Sequence, residues 1–233
     1  MDYRKNLKYF KSTDTHFYIG LPLAIIGGIL FVLAYIFWIY LFWYQDMIAI
    51  ALIVAGAVIA FVPRSLRSSE KDIDAVIASQ TENYAKESAE ALGLTSSLAR
   101  NMPPVVIGGY SFDHENALVR KGKDDSKFRS DKYIAAALLF TKQGFCVSTK
   151  EFSLTEEHMN ETVSEFHYSD LANICVENGE HILANGVKIK SAALVIVASD
   201  GKMLRIPVKN TAAIDKLCGD INYMIDAVKK SES

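Results

Sequence analysis

Between residues 120 and 132 the chain carries six basic side chains, Arg120, Lys121, Lys123, Lys127, Arg129 and Lys132, against three acidic ones, Asp124, Asp125 and Asp131. An excess of this kind is drawn to anionic surfaces, each basic group close to a charged bilayer contributing about 1 kcal/mol. The three aspartates oppose it, so the same stretch also reads as a solvated loop. Residues 104–233 as a whole hold 16 basic and 18 acidic side chains, a balance that argues against a nucleic-acid partner.

Catalytic chemistry finds little footing. The chain has no glycine-rich phosphate loop, no Gly-x-Ser-x-Gly, no His-Glu-x-x-His and no paired carboxylates in a recognisable setting. His158, beside Glu156 and Glu157, reads as an exposed turn, and Gly108-Gly109 as a kink in a strand. Cys146, Cys175 and Cys218 have no C-x-x-C spacing, and an odd count argues against a disulfide framework. They read as buried small hydrophobes. His114, His158, His167 and His181 lack the spacing of a zinc site. Neither enzymatic activity nor a cofactor or metal is expected.

The elements that position these residues begin with a membrane signal. Residues 17–43 contain no Asp, Glu, Lys or Arg, and neither do residues 47–62. About 20 apolar residues in a helix span the hydrocarbon layer. A cleavable signal peptide has a shorter apolar core followed by small residues, whereas the first run here ends in aromatic ones. Arg4, Lys5, Lys8 and Lys11 precede the runs, Arg64, Arg67 and Lys71 follow them, and the link between them holds only Asp46. By the positive-inside rule both termini are expected in the cytoplasm, in a multi-pass protein of the cell (inner) membrane. Trp38, Tyr40, Trp43 and Tyr44 form the expected interfacial belt. Gly20, Ala24 and Gly28 on the first helix, and Ala51 with Ala55 and Gly56 with Ala60 on the second, repeat every four residues and are expected to pack the hairpin on itself. Self-association or another membrane subunit would use the same residues.

Residues 68–92 read as one amphipathic connector helix, with a capping box at Ser69 and Asp72 and a stop at Gly93. A boundary is expected near Pro104. Strands are expected at 105–110, 117–120, 133–141, 145–151, 162–168, 174–177, 187–191, 192–198 and 203–208, some of them merging. The turns Lys142-Gln143-Gly144, Asn178-Gly179, Asn185-Gly186 and Asp200-Gly201 make them an antiparallel meander. Ile214, Leu217, Ile221, Met224, Ile225 and Val228, spaced by threes and fours, predict a closing helix capped by Asn210 or Thr211, with its stripe against the sheet. The expected organisation is a cytoplasmic segment 1–16, a transmembrane hairpin 17–66, a connector 67–103 and a cytoplasmic domain 104–233. The fold class is a membrane-anchored α+β protein.

Two stretches then carry a family resemblance. Leu138, Thr141 and Gly144 follow a strand-turn-strand pattern L-x-x-T-x-x-G, and Tyr168, Asp170, Leu171 and Ile174 follow i-x-Y-x-D-I-x-x-I. Together with about seven strands and a final helix they resemble the bacterial pleckstrin-homology-like (PH-like) and GRAM groups over about 130 residues. The resemblance implies an antiparallel barrel or sandwich capped by a C-terminal helix, and binding of lipids or peptides rather than catalysis. Lys123, Lys127 and Arg129 resemble the spacing with which eukaryotic PH domains grip inositol phosphates. The expected function is a membrane-tethered module that recognises a protein or lipid partner. The alternatives are a structural subunit that assembles through its hairpin and, last, an enzyme with an unfamiliar site.

Overall fold

The computed structural model describes residues 1–12, 15–36, 44–100, 102–183, 186–209 and 212–232. Trp38, Tyr40, Trp43, Asn185, Asn210 and Thr211 lie outside them, and so does the side chain of Tyr44. The chain forms two compact units, Asp2–Ser69 and Glu70–Ser233.

In the first unit a short helix α1 (Tyr3–Lys11) precedes two long apolar ones, α2 (Thr15–Ile36) and α3 (Tyr44–Ser65). Within these last two, Thr15–Leu33 and Asp46–Pro63 are long and apolar enough to cross a membrane, and most of each is exposed. The two helices pack along a seam of small residues. A Cβ on Gly20 would come within 2.5 Å of the Ala60 nitrogen, and one on Gly56 within 2.5 Å of the Ala24 nitrogen. The seam continues through Gly27, where a Cβ would meet the Ala49 oxygen at 2.8 Å. It departs from the expected set at three positions. A Cβ on Gly28 would have nothing within 4 Å, and Ala51 and Ala55 are exposed. The spacing of Gly20, Ala24 and Gly27 is four then three, matching Ala49, Ile53, Gly56 and Ala60. Two nearly antiparallel helices stay in contact on a period of 3.5, so a strict four-residue repeat drifts off the seam. At the end where the unit begins and finishes, the Ser68 hydroxyl donates to Asn6 Oδ1 at 2.6 Å and Arg67 donates to the Ser12 hydroxyl at 3.1 Å.

The second unit opens with helices α4 (Glu70–Thr81) and α5 (Tyr84–Ala91). The single connector helix expected over 68–92 is therefore broken at Glu82-Asn83, and Gly93 follows α5 with a positive φ of 65°. Among the described residues nine strands come next: β1 (Val105–Ser111), β2 (Val119–Lys121), β3 (Phe128–Ser130), β4 (Lys132–Phe140), β5 (Gly144–Ser153), β6 (Met159–His167), β7 (Leu171–Ile182), β8 (Lys188–Ala198) and β9 (Met203–Val208). A C-terminal helix α6 (Ala212–Glu232) ends the chain. The strands form a four-stranded sheet in the order β1-β4-β5-β6, a three-stranded sheet β7-β8-β9 and the separate hairpin β2-β3, all antiparallel. Asn178-Gly179 is not a turn: β8 carries the ladder straight past it, pairing Asn178 with Ala192 and Gly179 with Ser191. β3 falls in what the charge pattern presented as a loop. Gly109 lets the two sheets meet, since a Cβ there would stand 2.9 Å from the Pro207 carbonyl carbon of β9.

The core lies between the sheets and α6. Ala136, Leu138 and Phe140 of β4, Phe145 and Val147 of β5, Leu194 and Ile196 of β8 and Leu217, Ile221 and Ile225 of α6 are buried together. β4 is covered on its other face as well, because Ala135, Ala137 and Leu139 are fully buried without belonging to that cluster. Over them lies α5, whose Tyr84 hydroxyl bonds Ser148 at 2.9 Å and whose Tyr84 ring receives the Lys150 ammonium at 5.6 Å. The segment expected as a connector is thus an integral layer of the strand unit. Asn222 ties α6 to the sheet by donating to the Ile174 carbonyl at 2.8 Å and accepting from the Ile174 N–H at 3.2 Å.

Two outcomes follow. Gly56→Leu forces α2 and α3 apart, whereas Gly28→Leu fills open space; the first lowers the aggregation temperature of the detergent-solubilised chain and the second leaves it within error. Ile221→Asp buries a charge with no partner, a cost of several kcal/mol against a usual stability of about 5–15. The chain then unfolds or aggregates, and an unchanged thermal transition would show that α6 is not part of the core.

Candidate functional site

The basic segment folds around one arginine. Arg129, on β3, is 3% exposed and stands among three carboxylates. Its Nε and one terminal nitrogen donate to the two oxygens of Asp74 at 3.1 and 2.7 Å. Both terminal nitrogens reach Asp125, at 3.1 and 2.9 Å. Glu70 lies 3.8 Å away and accepts the backbone N–H of Lys123 at 2.6 Å through its other oxygen. The planar guanidinium suits this paired arrangement, in which each aspartate takes two parallel donors. Two of the three acids come from α4, so the arginine fastens the β2–β3 hairpin to the first helix of the unit. Tyr110 adds a hydroxyl to Asp74 at 3.3 Å.

Hydrogen bonds from Arg129 hold the Asp125 carboxyl down at about 2. Partial burial pushes Asp74 upward, but the same guanidinium outweighs it and leaves Asp74 below the usual carboxylate range. Burial opposes the charge on Arg129 as well, and its hydrogen bonds to Asp74 and Asp125 more than restore it. Burial, reinforced by the Asp74 charge, pushes the Tyr110 phenol far above its ordinary value.

Of the three residues expected to meet an anionic headgroup, Arg129 is therefore a correction. It is buried and its charge is balanced within the unit, because a cation taken out of water needs its counter-ions alongside. Lys123 and Lys127 are exposed. Lys127 leans toward Asp125 at 3.8 Å, and its backbone N–H donates to the same residue at 3.0 Å. The charge count gave no sign of this, since it treats every basic side chain as solvated. The spacing Asp125 to Arg129 and the acids of α4 were the available signal.

Histidine and cysteine are dispersed. His114 Nε2 contacts Asp131 at 2.9 Å and His181 Nδ1 contacts Asp113 at 2.6 Å. The described residues contain no group of three His, Cys, Asp or Glu placed to hold a metal ion. Cys146, Cys175 and Cys218 are free thiols, and burial pushes Cys218 up to about 11.

A groove of about 1010 Å³ opens elsewhere in the same unit, between residues 96–100, the β4–β5 turn, Tyr168 and Met224 of α6. Tyr168 begins a 3-10 turn joining β6 to β7 and is buried. Sequence reasoning singled out Tyr168 and the β4–β5 turn as marks of fold, and neither as part of a groove.

No family model, curated protein or solved structure matches the chain.

Arg129→Gln leaves Asp74, Asp125 and Glu70 facing one another without a cation, and lowers stability by about 3 kcal/mol in a denaturant titration. Lys123→Gln and Lys127→Gln stay within about 0.5 kcal/mol, so changing all three together lowers stability by about as much as Arg129→Gln alone. In acid, the folded values of Asp74 and Asp125 lie below the unfolded value of about 3.9. Their contribution is complete above that value and is lost as pH falls from about 4 toward 2. Asp125→Asn flattens that limb of the stability profile, and an unaltered acid transition would remove the arginine cluster from the account.

Proposed function

We propose that the chain is a membrane-anchored binding module. In this reading α2 and α3 cross the cell (inner) membrane with both termini cytoplasmic, and a PH-like domain recognises a protein or lipid partner at that face. The observation that carries it is the joining of two outward-facing apolar helices to a strand unit built of a four-stranded sheet, a corner, a three-stranded sheet and a helix. A core helix of a water-soluble protein would turn its apolar side chains inward, and these expose most of theirs. The basic residues Arg4, Lys5, Lys8 and Lys11 precede the helix pair and Arg67 follows it, which supports the cytoplasmic placement. Leu138, Thr141 and Gly144 occupy a hairpin and Tyr168 a corner, as the PH-like resemblance implies. The β2–β3 hairpin and the layer of α4 and α5 are additions to that plan. With Arg129 committed to the fold, a headgroup reading retains only Lys123 and Lys127, and the weight moves to a protein partner.

A second reading, a structural subunit that assembles through its helix pair, draws on Ala51 and Ala55, four residues apart on the exposed side of α3.

Reporter fusions test the topology: one at Ser233 is active only in its cytoplasmic form, and activity of a periplasm-dependent reporter there reverses the orientation. Bait experiments in detergent separate the two readings. A partner held by the full chain and lost by a chain ending at Ser69 belongs to the strand unit; one held equally by both belongs to the helix pair.

A further inference from the structure

The outer strands of the two sheets are not equally covered. β1 and β9 lie against each other at Gly109 and Pro207, and Asn222 of α6 bonds both backbone groups of Ile174 on β7. β6 pairs with β5 on one side and has no strand on the other among the described residues. The phase of its ladder is set beyond each end, where the Ser153 N–H donates to the His158 carbonyl and the Tyr168 N–H to the Gln143 carbonyl, each at 3.0 Å. Hydrogen-bonded and non-hydrogen-bonded pairs alternate along an antiparallel ladder. Asn160, Thr162, Ser164 and Phe166 therefore turn their backbone groups to β5, and Met159, Glu161, Val163, Glu165 and His167 turn theirs outward.

Side chains alternate as well, so these last five residues share one face of the strand, and all five are exposed. Backbone donors and acceptors that recur every second residue, about 6.8 Å apart, match another extended polypeptide. The side chains select which one. Apolar Met159 and Val163 alternate with acidic Glu161 and Glu165, and neither glutamate is in an ion pair among the described residues. The cation across the ladder from Glu161, Lys150, is buried with its ammonium 5.6 Å from the Tyr84 ring centre.

Resting on the reading of this chain as a module with a protein partner, we propose that β6 takes an antiparallel strand of that partner in which basic and apolar side chains alternate at every second position. From its N-terminal end, the incoming segment sets a lysine or arginine opposite Glu165 and an apolar residue opposite Val163. A second basic residue then faces Glu161, and a second apolar one faces Met159. Backbone hydrogen bonds hold such a strand, and the cross-strand pairs give it its specificity. An acidic segment meets like charge, and a second copy of β6 offers acids where bases are needed.

The test uses the full chain in detergent and a labelled peptide, Gly-Lys-Thr-Val-Thr-Lys-Thr-Val-Gly, with a matched peptide in which glutamate replaces both lysines. The lysine peptide binds at least tenfold more tightly than the glutamate peptide. Glu161→Gln combined with Glu165→Gln removes that preference while the thermal transition stays put, because both side chains are exposed. Methylating the lysine and valine amide nitrogens, which face β6, abolishes binding, whereas methylating the threonine nitrogens, which point away, preserves it. A partner caught by the strand unit in the bait experiments is lost by the double variant. Equal binding of the two peptides by the unmodified chain, or an unaltered preference in the double variant, overturns the proposal. Equal losses from the two methylation patterns overturn it too, since attraction between charges alone needs no ladder. A partner of the strand unit that holds the double variant as tightly as the unmodified chain removes the β6 edge and leaves the module reading standing. If the strand unit holds no partner at all, the module reading falls and the partner strand falls with it.

Discussion

Burial of β4 on both faces is the constraint around which the strand unit is arranged. A strand covered on one side alternates apolar and polar, whereas β4 reads Lys-Tyr-Ile-Ala-Ala-Ala-Leu-Leu-Phe and buries nearly all of it. Large side chains at Leu138 and Phe140 fill the space toward α6. Alanines at 135 and 137 keep the opposite face flat enough for a helix layer to lie close. Without that layer, those alanines and Leu139 would form an apolar strip on the surface. The layer needs fixing at its other end, and the guanidinium of Arg129 supplies it through Glu70 and Asp74. Packing and electrostatics therefore act together: α5 is held by contact and by Tyr84, α4 by its buried Ile73 and Ile77 and by the charge cluster.

The helix pair obeys a different rule. With most of their apolar side chains turned outward, α2 and α3 associate through close backbone approach and dispersion along the small-residue seam. This explains why glycine and alanine occupy the seam while leucine and isoleucine face outward. It also explains why one register of small residues is used and another is not.

Much of the element order was legible from periodicity and turn chemistry. The two apolar runs, the Lys142-Gln143 and Asp200-Gly201 turns and the six-residue stripe of α6 all rest on local rules, and the structure contains each of them. What was illegible depended on partners distant in sequence. Asn178-Gly179 has turn chemistry, but the long β8 offers a full ladder and the chain stays extended. The seam of the helix pair follows a period of 3.5, which the commoner four-residue pattern masks by placing Gly28 beside Gly27. Arg129 looked like any other cation in a charged stretch, because its desolvation arises from α4, some 55 residues earlier. The groove draws on the segment before β1, a hairpin turn and α6, which only the finished fold brings together. Asn222, a polar residue on the flank of an apolar stripe, gave no sign that it would meet the backbone of Ile174.

β6 ends the four-stranded sheet, and its outer side is a row of backbone groups of the kind that recruits a further strand. Two copies of the chain approaching by this side in antiparallel register about Val163 would set Glu161 of each against Glu165 of the other. Both glutamates are exposed, and like charges directly opposite one another weaken a cross-strand pair. The exposed Met159 and Val163 make the strand adhesive, and the glutamates between and beyond them make it repel its own kind. The like charges thus guard this edge against pairing with a second copy of the chain.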